Sequence, residues 1–158
     1  MSKMILGMTF NDIVEKYSDM VTRICIMNLR NSDDAKDCYQ NVFIKLFQKD
    51  IEFQNEEHLK AWLIRVCINE CRNYIKRFYK FTIDIEQVII ADHQKNLTLL
   101  PEVLKLPKKY RNVLYLYYYE GYSIDEISHI LQINQNTLKS QLKRGRELLG
   151  KKVGDFYE

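Results

Sequence analysis

Proline and glycine are scarce, with two of the first and five of the second in 158 residues. Few turn-formers argue against a fold of many short strands and favour helices. Histidine and cysteine are also few, at three and four. No C-x-x-C or H-x-x-C pair is present, so a metal site is not expected, although the i,i+4 spacing of Cys67 and Cys71 would suit two of four ligands. The cysteines fall mostly at apolar helical positions, where free Cys behaves as a small hydrophobe. A structural disulfide is not expected in a cytosolic chain. No apolar run is long enough to span a bilayer. Met4-Ile5-Leu6 after Lys3 is too short for a secretory signal, so the cytoplasm is the expected location. A P-loop, a Rossmann fingerprint and a nucleophile–base set are all missing. Neither catalysis nor a cofactor is expected.

What is present is a chain 46% hydrophobic and 28% charged, the balance of a folded protein. Its net charge of +3 is modest but uneven. Lys60, Arg65, Arg72, Lys76, Arg77 and Lys80 face Glu70 alone, and the C-terminal helix has a similar excess. Acids gather from Asp33 to Glu57 and near Asp84, Glu86 and Asp92. Two basic patches parted by acidic surface suit a protein that touches nucleic acid twice and something else in between.

Periodicity predicts an all-α chain of two small helical domains, residues 1–80 and 97–158, joined by a linker at 81–96. Thr9-Phe-Asn-Asp12 opens a first helix with Phe10, Ile13, Val14, Tyr17, Met20, Val21 and Ile24 on its apolar stripe. Asn31-Ser-Asp-Asp34 breaks and caps. A second helix buries Ala35, Cys38, Val42 and Leu46, with Tyr39 and Phe43 on an adjoining edge. A polar loop from Lys49 to Glu57 leads to a third helix, starting near Asn55 and running to about Tyr79. Its expected inward face is Leu59, Trp62, Leu63, Val66 and Tyr74. The linker is partly apolar (Ile83, Ile85, Val88, Ile89, Ile90), so it docks on its own domains or on a partner rather than acting as a free spacer. Pro101 and Pro107 each suit a first helical turn. Lys108 to Glu120 reads as one helix stopped by Gly121, and its tyrosines, Tyr115, Tyr117, Tyr118 and Tyr119, read as core and rim packing.

The segment Tyr122 to Leu149 has the form of a helix-turn-helix. Ser123 and Glu126 have capping-box spacing. Ile127, Ile130 and Leu131 face inward, Asn134 or Asn136 caps the second helix, and Leu138, Leu142 and Leu149 recur at helical spacing. Gly145 shares that inward face, where a missing side chain allows close approach. Asn136, Thr137, Lys139, Ser140, Lys143 and Arg144 lie elsewhere. This face is almost free of acids until Glu147 and carries groups that reach base edges as well as phosphates. The alternative is an ordinary helical hairpin with a solvated basic face.

The two halves together resemble a bacterial RNA polymerase sigma factor of the extracytoplasmic-function class, from about Phe10 to Leu149. The first half of the resemblance rests on Asp34-Ala-Lys-Asp-Cys-Tyr-Gln-Asn-Val-Phe-Ile-Lys-Leu-Phe47 and Leu59-Lys-Ala-Trp-Leu-Ile-Arg-Val-Cys-Ile-Asn69, which look like region two of that family. The second half rests on Leu106-Pro-Lys-Lys-Tyr-Arg-Asn-Val-Leu114, Glu120-Gly-Tyr-Ser-Ile-Asp-Glu-Ile127 and Thr137-Leu-Lys-Ser-Gln-Leu-Lys-Arg144, which look like region four. The resemblance implies that the first domain binds core RNA polymerase and opens the −10 promoter element, while the second reads −35 DNA in the major groove. By position, Asp37, Gln40, Asn41 and Phe43 fall in the polymerase-clamp motif, where Phe43 reads equally as a core residue. Asn55, His58, Arg65, Asn69, Arg72, Lys76 and Arg77 fall in the −10 region, with the loop from Phe53 to His58 as the better base pocket and Trp62 as core. Asn136, Thr137, Lys139, Ser140, Lys143 and Arg144 match the −35 contacts. The resemblance further implies a cognate anti-sigma factor, membrane-linked, and a chain that acts as a monomer on polymerase.

Departures from the family pattern are Lys36 and Asn41 in place of acids, Gln132 in place of a turn glycine, Ser128 in place of alanine and Gln141 in place of an arginine. Two other readings compete. One is a helix-turn-helix regulator that works without polymerase, normally as a dimer. The other is a small thiol or metal enzyme using Cys67 and Cys71.

Overall fold

The structure, a computed structural model, describes residues 3–29, 31–78 and 105–157, with side chains to residue 150. The expected linker at 81–96 and Pro101 lie outside the described residues. The chain's contacts separate into two compact units, Met1–Val88 and Ile89–Glu158.

The first unit holds helices α1 (Phe10–Asn28), α2 (Ser32–Gln48) and α3 (Glu56–Phe78), and each packs on the other two. Capping sets where α1 and α2 begin. The Thr9 hydroxyl accepts the Asp12 amide at 3.1 Å, and the Asp12 carboxylate accepts the Thr9 amide in return. Asn31 Oδ1 accepts the amides of Asp33 and Asp34 at 2.9 and 3.1 Å, opening α2. The core is Ile13, Val21, Ile24 and Met27 of α1, Cys38, Val42 and Leu46 of α2, and Leu59, Leu63, Ile64 and Cys67 of α3. Polar ties pin the helices at their rims. Lys16 pairs with Glu56, and Lys45 with Glu70. The Tyr74 hydroxyl donates to Asp34 at 2.7 Å, which lifts the phenol to about 12.

A feature absent from the sequence reading precedes α1. Strands β1 (Met4–Ile5) and β2 (Met8–Thr9) form a two-residue antiparallel hairpin, with Met4 opposite Thr9. Leu6 and Gly7 between them both have positive φ, 52° and 77°, as a two-residue hairpin turn requires. Lys3 before the hairpin donates to the carbonyls of Leu46 and Phe47 at 2.8 and 2.9 Å, so its ammonium caps the C-terminus of α2.

The second unit holds α4 (Lys108–Leu114), a π-helical turn at Tyr115–Tyr119, α5 (Ile124–Leu131) and α6 (Gln135–Tyr157). Residues 108–120 are therefore not one uniform α-helix as expected. The Glu120 amide reaches back five residues to the Tyr115 carbonyl at 3.1 Å. The widened turn places Tyr115 and Leu116 inside and leaves Tyr118 and Tyr119 exposed. Core packing therefore accounts for only part of the tyrosine cluster. Gly121 ends the segment at φ 76°. The Ser123 hydroxyl accepts the Glu126 amide and the Glu126 carboxylate the Ser123 amide, at 3.1 and 3.0 Å, opening α5. Ile127, Ile130, Leu138 and Leu142 are buried, while Leu131 and Leu149 are only half-buried.

Gly145 sits where α6 crosses α4. A Cβ there would lie 3.1 Å from Leu114 Cδ1 and 3.3 Å from Tyr110 Cβ. Gly145→Leu should therefore destabilise the second unit by about 1–3 kcal/mol through overpacking. Gly145→Ala should fall close to neutral, because helix propensity offsets the tight contact. Urea unfolding of the two variants checks this, and equal midpoints would refute the close approach.

Candidate polymerase and nucleic-acid interfaces

Three exposed helix faces carry the candidate residues. Each lies opposite a buried arc, so the core fixes its direction.

On α2, Ala35, Cys38, Val42, Phe43 and Leu46 are buried. At 100° per residue the opposite arc holds Asp37, Gln40, Asn41 and Ile44, all exposed. Phe43 is a correction to the clamp-contact set. It is 5% exposed and packs edge-on against Tyr39 and Phe10, with ring centroids 5.0 and 6.5 Å away. A partner has almost no Phe43 surface to touch. Instead, Ile44 and Phe47 are 48% and 55% exposed beside Asp37 and Gln40. The three-and-four progression from Asp37 would have found Ile44. The sequence reading passed it over because it followed only the inward stripe.

On α3, the buried residues Leu59, Leu63, Ile64, Cys67, Ile68 and Cys71 occupy one side. His58, Trp62, Arg65, Asn69, Arg72 and Lys76 recur at spacings of four and three, which puts them on the other side. Asn69, Arg72 and Lys76 are exposed, and Trp62 and Arg65 are half-buried. At 1.5 Å per residue the stripe runs about 27 Å. Arg77 falls off it, with its guanidinium 5.9 Å from the Phe78 ring centroid. None of the six stripe positions is an acid, and Glu70 beside the stripe pairs with Lys45.

The loop before α3 closes one end of this stripe with aromatic rings. Phe53 is buried and meets His58 and Trp62 edge-on, at 5.1 and 5.7 Å between centroids. Trp62 is thus not inside the core as expected. It borders the loop. Asn55 and His58 have local duties. Asn55 Oδ1 accepts the His58 amide at 2.8 Å, and His58 Nδ1 accepts the Gln54 amide at 3.2 Å. Asn55 therefore caps α3, and its carboxamide oxygen is already engaged.

On α6, Leu138, Leu142 and Gly145 face inward. Asn136, Lys139, Ser140 and Lys143 share the opposite arc, with Thr137 and Arg144 on its flank. All six are exposed. Arg144 is not free, since it makes a loose pair with Glu147 at 3.5 Å. Asn134 Oδ1 accepts the Asn136 amide at 2.7 Å, so Asn134 opens α6 and the Asn136 side chain stays available. Gln135 donates to Asp125 at 2.8 Å and ties the start of α6 to α5.

The turn between α5 and α6 explains two departures from the family pattern. Gln132 adopts φ 56° and ψ 48°, the left-handed conformation that glycine takes without strain. The Ile133 amide bonds the Ser128 carbonyl at 3.1 Å, and the Ser128 hydroxyl donates to the Ile133 carbonyl at 2.6 Å. A serine in place of alanine thus supplies a bond across the turn where glycine is missing.

Comparison with known proteins agrees with this division. The family described as Sigma-70 region 2 matches residues 13–79, and the family described as Sigma-70, region 4 matches residues 100–149. The ECF RNA polymerase sigma factor SigW of Bacillus subtilis is 31% identical, with 93% of this chain and 90% of that protein covered. SigM of the same organism, also an ECF RNA polymerase sigma factor, is 29% identical over 90% of this chain and 93% of its own length. Among solved structures, the sigma factor RpoE bound to the anti-sigma factor NepR, from Bartonella quintana, superposes with a TM-score of 0.70. It shares 18% identity and covers 92% of this chain and 96% of that one. CnrH in complex with the cytosolic domain of CnrY gives 0.68 at 20% identity, covering 92% and 88%. At those identities the two structures support the fold.

The division between core and surface on α2 is testable without any partner. Phe43→Ala should cost about 3–5 kcal/mol, as truncation of a buried aromatic does. Ile44→Ala should stay within about 0.5 kcal/mol of the parent. Thermal unfolding followed by circular dichroism reads both, and comparable losses would show that Ile44 belongs to the core.

Proposed function

This chain belongs to the ECF RNA polymerase sigma factors, and from that premise we propose how its three exposed faces divide the work of directing transcription initiation. The α2 face of Asp37, Gln40, Asn41 and Ile44, with Phe47 beside it, holds the clamp of core RNA polymerase. It combines a polar rim with apolar groups that gain from burial. The α3 stripe binds the displaced strand of the −10 element. Arg65, Arg72 and Lys76 neutralise its phosphates, and His58 and Trp62, backed by the buried Phe53, form the wall against which an unstacked base rests. Arg77 adds a cation beside the stripe. The α6 face enters the −35 major groove. Lys139, Lys143 and Arg144 hold phosphates, while Asn136, Thr137 and Ser140 reach base edges.

The observation that carries this reading is the α3 stripe. A stripe about 27 Å long that starts at an aromatic loop and carries Arg65, Arg72 and Lys76 over its last ~16 Å has the shape and charge of a single-strand track. A simple operator-binding regulator has no use for it. The polymerase performs the phosphoryl transfer, and this chain contributes binding and strand separation. Among the described residues no helix is long and apolar enough to cross a membrane. We place the chain in the cytoplasm with the polymerase, as a monomer on that enzyme. One structural neighbour, RpoE, is in complex with an anti-sigma factor, and another, CnrH, with the cytosolic domain of CnrY. That supports a cognate, membrane-linked anti-sigma factor here.

Transcription from a promoter library by core polymerase plus this chain, with start sites sequenced, tests the reading. Starts should cluster downstream of one −35 and one −10 motif. Lys143→Ala should weaken −35 binding across sequences and reduce the salt slope by about 1, as loss of a phosphate contact does. No stable complex with core polymerase and no directed starts would refute the reading.

A further inference from the structure

All four cysteines of the chain are buried and free of disulfides. Three of them are also gathered together, and the four come from three helices: Cys25 on α1, Cys38 on α2, and Cys67 and Cys71 on α3. The Sγ atoms of Cys25, Cys67 and Cys71 all lie within 4.8 Å of one another. Cys25 and Cys67 are in contact at 3.3 Å. Cys38 lies outside that group of three, with its thiol 3.9 Å from the Glu70 carbonyl oxygen. Thiols used only as small hydrophobes have no reason to converge, because alanine or valine fills such a core as well. Here three of the four cysteines meet at one point.

The geometry points to a buried thiolate site for one thiophilic d10 cation, with Zn²⁺ the fitting member, bound by Cys25, Cys67 and Cys71 and completed by Cys38. Sulfurs no more than 4.8 Å apart all lie within about 2.8 Å of a common centre, so a small contraction brings them to the zinc–thiolate length of about 2.3 Å. Little backbone movement is then needed to admit the ion. The i,i+4 pair Cys67 and Cys71 lies on one helical turn and supplies two ligands from one side. An all-thiolate ligand set selects zinc over the oxygen-seeking divalent ions.

In the metal-free state the thiols donate to one another and to helix carbonyls. Cys67 reaches the Val21 oxygen at 3.7 Å and Cys38 the Glu70 oxygen at 3.9 Å. On binding, each ligating thiol releases its proton to solvent, and Zn²⁺ exchanges its waters for thiolates. Three thiolates leave the site at net −1 and four at −2, so the fourth ligand trades coordination against buried charge. The site would join α1, α2 and α3 through one ion. The stability of the polymerase- and −10-binding unit would then follow zinc supply, since metal bound only by the folded state adds its binding free energy to folding.

The full-length chain, purified under reducing conditions and given Zn²⁺, should retain about one ion per chain through gel filtration, as a closed structural site does. X-ray absorption should show an all-sulfur shell, and Co²⁺ should give the intense visible bands of a tetrahedral thiolate complex. The pair Cys67→Ala and Cys71→Ala should abolish all three signals. Four results overturn the inference: a folded parent chain that retains no zinc, a shell dominated by nitrogen or oxygen, no cobalt bands, or undiminished binding in the double variant. If the double variant does not fold, the absorption spectrum of the parent decides alone.

Discussion

The first unit depends on one constraint: α3 must bury an unbroken apolar side against α1 and α2 together. Leu59, Leu63, Ile64, Cys67, Ile68 and Cys71 form that side, and each is almost wholly removed from solvent. A fully buried aliphatic side chain contributes about 1.5–3 kcal/mol, whereas exposed ion pairs contribute little. Packing therefore sets the rotation of α3, and the polar ties at its rim only trim it. Once the buried side is fixed, so is the opposite one. The cations at 65, 72 and 76 face solvent because leucines, isoleucines and cysteines occupy the other side. The same logic turns Asp37, Gln40 and Ile44 outward on α2. Function in this unit is what the core leaves over.

The second unit uses a different constraint, close approach. Gly145 lets α6 lie so close to Leu114 and Tyr110 that even a Cβ would meet them at 3.1 and 3.3 Å. The basic face of α6 is then turned away from α4. The turn before α6 accepts a left-handed glutamine at a position suited to glycine, with Ser128 bonding across it. The short polar network of Asn134, Gln135 and Asp125 then fixes where α6 starts. These local bonds set how far α6 presents Asn136 and Ser140 to solvent.

Much of this was legible in the residues. Helix starts at Thr9, Asn31 and Ser123 were readable because capping is local chemistry, completed within three or four residues. Gly121 and the inward Gly145 were readable for the same reason. The outward positions of Asn69, Arg72, Lys143 and most other site residues followed from a 3.6-residue period. Features that depend on several elements at once were not readable. Phe43 is buried because Phe10 and Tyr39 close over it, and no spacing on α2 says so. Trp62 is expected inward, yet the side that α3 buries is the opposite one, and its ring lies against Phe53 of the loop. The π-helical turn arises where the chain must bury Tyr115 and Leu116 and release Tyr118 and Tyr119. The N-terminal hairpin is two residues per strand, below the length at which alternation carries a signal. Cys25 lies on α1 and Cys67 and Cys71 on α3, so their convergence appears only when the helices pack.

The account makes the polymerase, not a second copy of the chain, the source of stable DNA binding. Each of the two proposed DNA faces lies along one helix. The most direct test is the affinity of the chain for promoter DNA measured with and without core polymerase at one salt concentration. The account predicts weak binding alone and, with core polymerase, tight binding in which −10 thymines become reactive to permanganate. Equal affinity in the two conditions, with the −10 element still paired, would contradict it.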